Sequence, residues 1–223
     1  MTRSGRGRIG VFGGTFNPIH LGHLRAAEEV VEALGLERML FVPSASPPHK
    51  PEGAGDPLAP AALRLAWVRA ALAGNPRFEV DALEVERGGA SYTVDTLRAL
   101  RRRTAPEPPV FAIGCDAFAE LGSWREPEAL VALAHFAVMT RPPVAAGSLA
   151  DWLPKELRHA VEIGPDGRSG RHRSAGTELR VVEVSALHIS ASDVRRRLRE
   201  GRSVRYLVPE SVRESVERSG VFS

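Results

Sequence analysis

Two histidines three residues apart, His20 and His23, follow a glycine pair, Gly13 and Gly14, that closes an apolar run. Imidazoles at that spacing share one face of a first helical turn. A glycine turn brings bare backbone N–H groups forward, and a helix start adds unpaired N–H groups and a positive dipole end. Donors gathered in this way suit one ligand class, an anion, and a polyphosphate uses them all. The segment reads RIGVFGGTFNPIHLGHL over 8–24. It is not a P-loop, because no Gly-Lys-Ser/Thr follows. Nor is it a dinucleotide fingerprint, since Thr15 and Asn17 stand where that pattern places glycines. Either histidine alone is an ordinary core or surface side chain. The pair, flanking Gly22 after a strand and a glycine turn, points to chemistry.

A second cluster lies near the far end of the chain, ISASDVR over 189–195. Ser190 or Ser192 can cap a helix and leave its N–H groups aimed at an anion. Arg195, Arg196 and Arg197 crowd the positive end of that helix, an unfavourable arrangement that a bound polyphosphate would relieve. Weaker candidates lie between the two clusters. Pro47-Pro48-His49-Lys50 presents an imidazole and an ammonium on a stiffened loop. Thr93 stands at a helix start that Ser91 could cap. Asp116, after an apolar strand, can accept from ribose or amide donors, or cap a helix over 117–121. Trp124 sits in a loop where its ring could stack on a planar ligand. Cys115 is read as a small buried side chain rather than a nucleophile.

The elements that must position these residues follow from periodicity. An apolar run containing Ile9, Val11 and Phe12 predicts a buried strand broken by the glycines. A helix is expected over 24–34 and a second strand over 38–42; so short a connection implies a parallel pair. Residues 43–60 form a long loop at a strand's carboxyl end, where open α/β sheets bind ligands. Further along, helices are expected over 63–72, 94–103, 149–161, 190–200 and 209–219, with Leu65, Val68 and Leu72 facing inward in the first of these. Strands are expected over 78–80, 83–85, 110–113, 135–140 and 179–184. The glycine-rich stretch 164–177 reads as a mobile surface insertion.

Bulk properties restrict the classes. The chain has 223 residues, 43% hydrophobic and 26% charged. That is enough for a sizeable core and speaks against wholesale disorder. No apolar run approaches a membrane span, and the basic start lacks a signal peptide's apolar centre. A single cysteine excludes an internal disulfide and fits the cytoplasm. The net charge of +3 is carried almost wholly by arginine; only Lys50 and Lys155 are lysines. So small an excess, with no series of stacking aromatics, argues against a nucleic-acid partner. No membrane partner is expected, and a homo-oligomer remains compatible with the chain.

The ordered set GGTFNPIHLGHL, FVPSASPPHK, SYTVDTL, IGCDAF, the Trp124 loop, Arg141-Pro142, ISASDVRRRL and YLVPESVRESV covers nearly the whole chain. It resembles the bacterial nicotinate-nucleotide adenylyltransferases of the nucleotidyltransferase superfamily. The resemblance implies a doubly wound, Rossmann-like α/β domain over 8–188, a small helical part over 189–223 that completes the nucleotide site, and a loose tail over 1–7. It implies joining of ATP and nicotinate mononucleotide to give deamido-NAD and pyrophosphate in NAD biosynthesis. By the same likeness His20, His23 and Arg195 are catalytic. ATP meets Gly13, Gly14, Thr15, Phe16, Asp116, Ile189, Ser190 and Ser192 besides those three. The mononucleotide meets Thr15, His49, Lys50, Thr93 and Trp124. Ala191 stands where a second serine is common, which puts one phosphate contact in doubt. With no dense carboxylate cluster, Mg²⁺ is expected on substrate phosphates rather than on protein ligands. Beside phosphates the histidines, ordinarily near pKa ~6.5, should become charged donors. Other acceptors, nicotinamide mononucleotide or pantetheine phosphate, remain alternatives.

Overall fold

The computed structural model describes residues 7–48, 57–140, 147–185 and 187–222. His49, Lys50, Arg141 and Pro142 therefore lie outside the described residues, as do 1–6 of the expected tail.

Among the described residues eight strands form one sheet. Strand β1 (Ile9–Gly14) leads through α1 (Leu21–Leu34) to β2 (Arg38–Pro43), and α2 (Ala61–Leu72) leads to β3 (Phe78–Val80). The chain then crosses back through α3 (Leu83–Arg87) and α4 (Thr93–Thr104) to β4 (Val110–Gly114). After it come α5 (Cys115–Ala119), α6 (Pro127–Leu133) and β5 (His135–Thr140). The strand order is β3-β2-β1-β4-β5, continued by β8 (Glu178–Glu183), β7 (Ser169–His172) and β6 (Val161–Ile163). All pairings from β3 to β8 are parallel. The order reverses between β1 and β4, the place where a doubly wound sheet opens a ligand crevice at its carboxyl edge.

Side-chain alternation along the strands builds the two faces. Phe12, Phe41, Ala112 and Met139 pack with α1 and α2 on one side. Val11, Val42, Phe111, Ile113 and Val138 pack with α4, α5 and α6 on the other. Of the carboxyl-terminal helices α8 (Ala191–Arg199) and α9 (Glu210–Arg218), α9 packs on the first core, while Val194 of α8 forms a small cluster with Val204 and Val208. Val212, Val216 and Phe222 join the first core, the Phe222 ring lies 6.0 Å from Trp67, and Trp67 Nε1 donates to Ser215 Oγ at 3.1 Å.

Three sequence expectations are corrected. Residues 83–85 are helical, not extended: Leu83 is anchored by its N–H to Asp81 Oδ1 at 3.0 Å, and too short an apolar run carries no period. The helix expected over 149–161 is only Leu149–Trp152 (α7), because Pro154 stops it before a single 3₁₀ turn and β6. The stretch 164–177 is no loose insertion. It holds β7, paired antiparallel to β6 and β8, with Asp166 Oδ1 accepting two backbone N–H groups in the first turn. Glycine in these turns serves φ values of +64° at Gly167 and +71° at Gly176.

Candidate active site

Strand β1 runs longer than its sequence suggests. Gly13 and Gly14 do not break it; they pair with Val42 and Pro43, and the turn starts at Thr15. Their missing side chains make room rather than a bend: a Cβ on Gly14 would lie 3.0 Å from the Phe16 ring. Phe16 takes a left-handed φ of +48°, costly for a non-glycine residue. Such a turn holds only if its surroundings fix it. Arg64, wholly buried in α2, donates Nη1 to Thr15 O at 2.7 Å, Nη2 to Ala45 O at 2.8 Å and Nε to Ala59 O at 2.9 Å. Asn17 closes the same knot by donating to Pro57 O and accepting from Ala59 N–H. Burial pulls the Arg64 guanidinium down to about 10, while the charge of buried Glu84 pushes back up.

Helix α1 begins at Leu21, earlier than its apolar stripe implies, so His20 is its N-cap and His23 its third residue. The two rings stack, centroids 3.6 Å apart. Phe16 holds His23 edge-on at 5.2 Å and Phe12 at 6.1 Å. His20 N–H donates to His23 Nδ1 at 3.2 Å. That bond assigns the His23 proton to Nε2. At the helix start, where the sequence leads one to expect unpaired N–H groups, that of Leu21 is taken by Leu207 O at 2.9 Å.

The carboxyl-terminal cluster meets this turn directly. Arg195, 5% exposed, donates Nη1 to Asn17 O at 2.8 Å and Nη2 to Ser192 Oγ at 3.0 Å. Ser190 caps α8, accepting from Asp193 N–H at 3.1 Å. Gly22 permits the approach: a Cβ there would sit 3.1 Å from His20 Nδ1 and 3.4 Å from Ile189 O. Arg196 and Arg197 do not join in, because both pair with Asp193, whose carboxyl these bonds, that of Arg197 first, hold below its usual range.

Two clefts open on either side of β1, as alternation along the strand dictates. One, about 470 Å³ and open to solvent, is lined by Phe12, His20, Gly22, His23, Met139 and Ile189. The other, about 710 Å³, is lined by Gly13, Gly14, Thr15, Ser44, Tyr92, Thr93, Trp124 and Arg125 among others. Thr93 is the first residue of α4, but Ser91 does not cap that helix; its Oγ accepts from Ala45 N–H at 2.8 Å and ties the loop after β2 to α4. Asp116 sits exposed in the first turn of α5, outside both linings. Gly114 rather than Asp116 precedes α5, which begins at Cys115. Among the described residues no three of His, Cys, Asp or Glu gather as a metal cage.

Sequence reasoning missed Arg64, Ser44 and Arg125. Arg64 carried a signal, standing four and eight residues before Val68 and Leu72 on the inward stripe. Ser44 lines the larger cleft, and its buried Oγ has no hydrogen-bond partner among the described residues, a group that a ligand would satisfy.

The chain matches the cytidylyltransferase-like family over residues 11–197. A protein of Trichlorobacter lovleyi named "Probable nicotinate-nucleotide adenylyltransferase" is 43% identical over 215 residues, 96% of this chain and 99% of that one. One of the same name from Geotalea uraniireducens is 41% identical over 219 residues, covering 97% and 98%. The fold is also that of the Plasmodium falciparum nicotinic acid mononucleotide adenylyltransferase solved with NaAD. It matches at TM-score 0.70 and 16% identity, over 96% of this chain and 97% of that one.

Proposed function

The chain belongs to the cytidylyltransferase-like family and within it to the nicotinate-nucleotide adenylyltransferases, and from that membership we propose how its residues divide the work. The enzyme joins ATP to nicotinate mononucleotide, giving deamido-NAD and pyrophosphate in NAD biosynthesis. The observation that carries the assignment of roles is the bond from Arg195 to Asn17 O, which closes the late helix cap onto the early histidine turn.

ATP lies in the smaller cleft, its phosphates over the His20–His23 stack and the α8 cap of Ser190 and Ser192. Nicotinate mononucleotide lies in the larger one, its pyridine ring toward Trp124 and Thr93 and its phosphate toward Thr15. Ser44 Oγ donates to that substrate. Phe12 of β1 lines one cleft and Gly13 and Gly14 the other, which sets the mononucleotide phosphate facing the α-phosphorus of ATP. That phosphate is already a nucleophile, and no general base is needed. A bond forms from its oxygen to the α-phosphorus while the bond to the β-phosphate oxygen breaks, in line, and pyrophosphate leaves with the electron pair. The protein supplies position and positive charge. His23 donates through Nε2 to charge developing on the phosphates; Arg195 keeps Asn17 and Ser192 in place. Mg²⁺, bound through triphosphate oxygens, would neutralise charge on the leaving pyrophosphate. This fits a site whose nearby side chains are imidazole, hydroxyl and guanidinium. His49 and Lys50 keep the role the resemblance gives them, toward the mononucleotide phosphate; Asp116, outside the lining of either cleft, is assigned to the ATP ribose on the resemblance alone. The single buried Cys115 supports a cytoplasmic setting.

The test is incubation with ATP, Mg²⁺ and nicotinate mononucleotide, with nicotinamide mononucleotide and pantetheine phosphate in parallel. Deamido-NAD forming fastest is the expected result; preference for either other acceptor would overturn the assignment.

A further inference from the structure

The outer wall of the larger cleft carries a cation that the reaction as described does not use. Arg125 lines the cleft beside Trp124, and its guanidinium carbon lies 4.6 Å above the centroid of the Tyr92 ring. Stacking of this kind fixes a guanidinium flat on an aromatic face and leaves its N–H edge free to meet an anion. The backbone around it is held. Trp124 N–H donates to Leu121 O at 3.1 Å, Leu130 N–H donates to Glu126 O at 3.2 Å, and Glu126 takes a left-handed φ of +53°.

The charges nearby leave Arg125 with positive character to spare. Its ion-pair partner among the described residues is Glu126, at 3.9 Å, yet both oxygens of Glu126 are already taken by Arg98, at 3.1 and 2.5 Å. The other carboxylate on the cleft wall, Glu84, is buried, accepts from Thr96 and faces the charge of Arg64. Thr15 follows β1, toward which the substrate phosphate must lie to reach the second nucleotide, and Tyr92, Trp124 and Arg125 line the same cleft.

We infer that Arg125 is a specificity residue: stacked on Tyr92, it attracts the ring carboxylate of a pyridine mononucleotide and favours the acid over the uncharged amide. The inference rests on the reading of the larger cleft as the mononucleotide site. The two substrates differ by one charge at one end, so a single cation there reads the difference by Coulomb attraction. Arg125 is more than half exposed, and solvent weakens the effect to that of a good surface pair, about fivefold.

The experiment compares kcat/KM for nicotinate and nicotinamide mononucleotides in the wild type, Arg125→Ala and Arg125→Lys. The acid-to-amide ratio should fall about fivefold in Arg125→Ala, through KM for the acid rather than kcat. Arg125→Lys, which keeps the charge without the flat stack, should fall between. The gap between wild type and Arg125→Ala should narrow at high salt. Equal losses for both substrates would mean that Arg125 merely packs on Tyr92, and an unchanged ratio would mean that it reads nothing; either overturns the inference alone. A wild type that makes no deamido-NAD overturns the activity reading and this inference with it.

Discussion

Replacing Arg64 by Met tests whether the turn between β1 and α1 is held from beneath. Methionine keeps most of the apolar stem and removes the guanidinium. Three carbonyls, those of Thr15, Ala45 and Ala59, lose donors at 2.7, 2.8 and 2.9 Å. A buried polar group left without its partner costs about 1–3 kcal/mol. Glu84 also loses the attraction of a nearby positive charge, which adds a smaller cost. These losses overlap, and Thr15 is only half-buried, so water can replace one donor. A net loss of about 5 kcal/mol follows, comparable to the whole stability of many domains. At roughly 2–4 °C per kcal/mol for a chain of this size, the Tm should drop by about 10–20 °C. Arg64→Lys, which keeps the charge but can reach fewer carbonyls, should lose about half as much. Adding Glu84→Gln to Arg64→Met should recover part of the loss, because it removes the stranded charge. Thermal and urea unfolding followed by circular dichroism measure all three. A loss below about 1 kcal/mol in Arg64→Met, or simple addition of the two single losses in the double variant, would refute the reasoning.

Other expectations follow from the same geometry. His23→Ala should lower kcat about a hundredfold, the effect of one lost transition-state donor, while KM for ATP changes little; steady-state kinetics showing near-normal turnover would contradict the role of its Nε2. Gly22→Ala places a methyl 3.1 Å from His20 Nδ1 and 3.4 Å from Ile189 O, so it should push the two motifs apart. A loss of about 1–3 kcal/mol in unfolding free energy is expected, with a larger fall in kcat/KM than in stability. His135 is buried, and burial first, then the Arg8 charge, pushes its pKa below the usual 6.5; its Nδ1 accepts from Glu178 N–H at 2.9 Å. The unfolded chain therefore binds more protons between the two pKa values. Stability should be fully present above about pH 6.5 and decline as pH falls below it. A urea midpoint series in which His135→Phe shows the same slope as wild type would contradict this.

The features legible in sequence were those with local periods or local caps. The apolar runs of β1, β4 and β5 were readable because both faces of each strand are covered. The His20–His23 spacing and the Ser190 cap were readable because each acts within one helical turn. What escaped depends on distant partners. Arg64 looks like a misplaced cation until two loops bring it three carbonyls, from 5 to 49 residues away. The stretch 164–177 is rich in glycine because its turns are tight, not because it is loose, and nothing within it announces that β8 will complete its pairing. Asp116 looked like a helix cap because it follows an apolar strand, yet Gly114 takes the cap and leaves the carboxylate exposed. The early and late motifs meet only through tertiary contact, at Arg195 and Asn17, 178 residues apart.

The claim beneath all of this is that the early and late motifs act on one polyphosphate. A double-mutant cycle on kcat/KM for ATP, built from His23→Ala and Arg195→Lys, measures it directly. The account predicts that the double variant loses clearly less than the two single losses combined, since each grip already depends on the other. Losses that add within about 0.3–0.5 kcal/mol would mean that the two motifs act independently, and would contradict it.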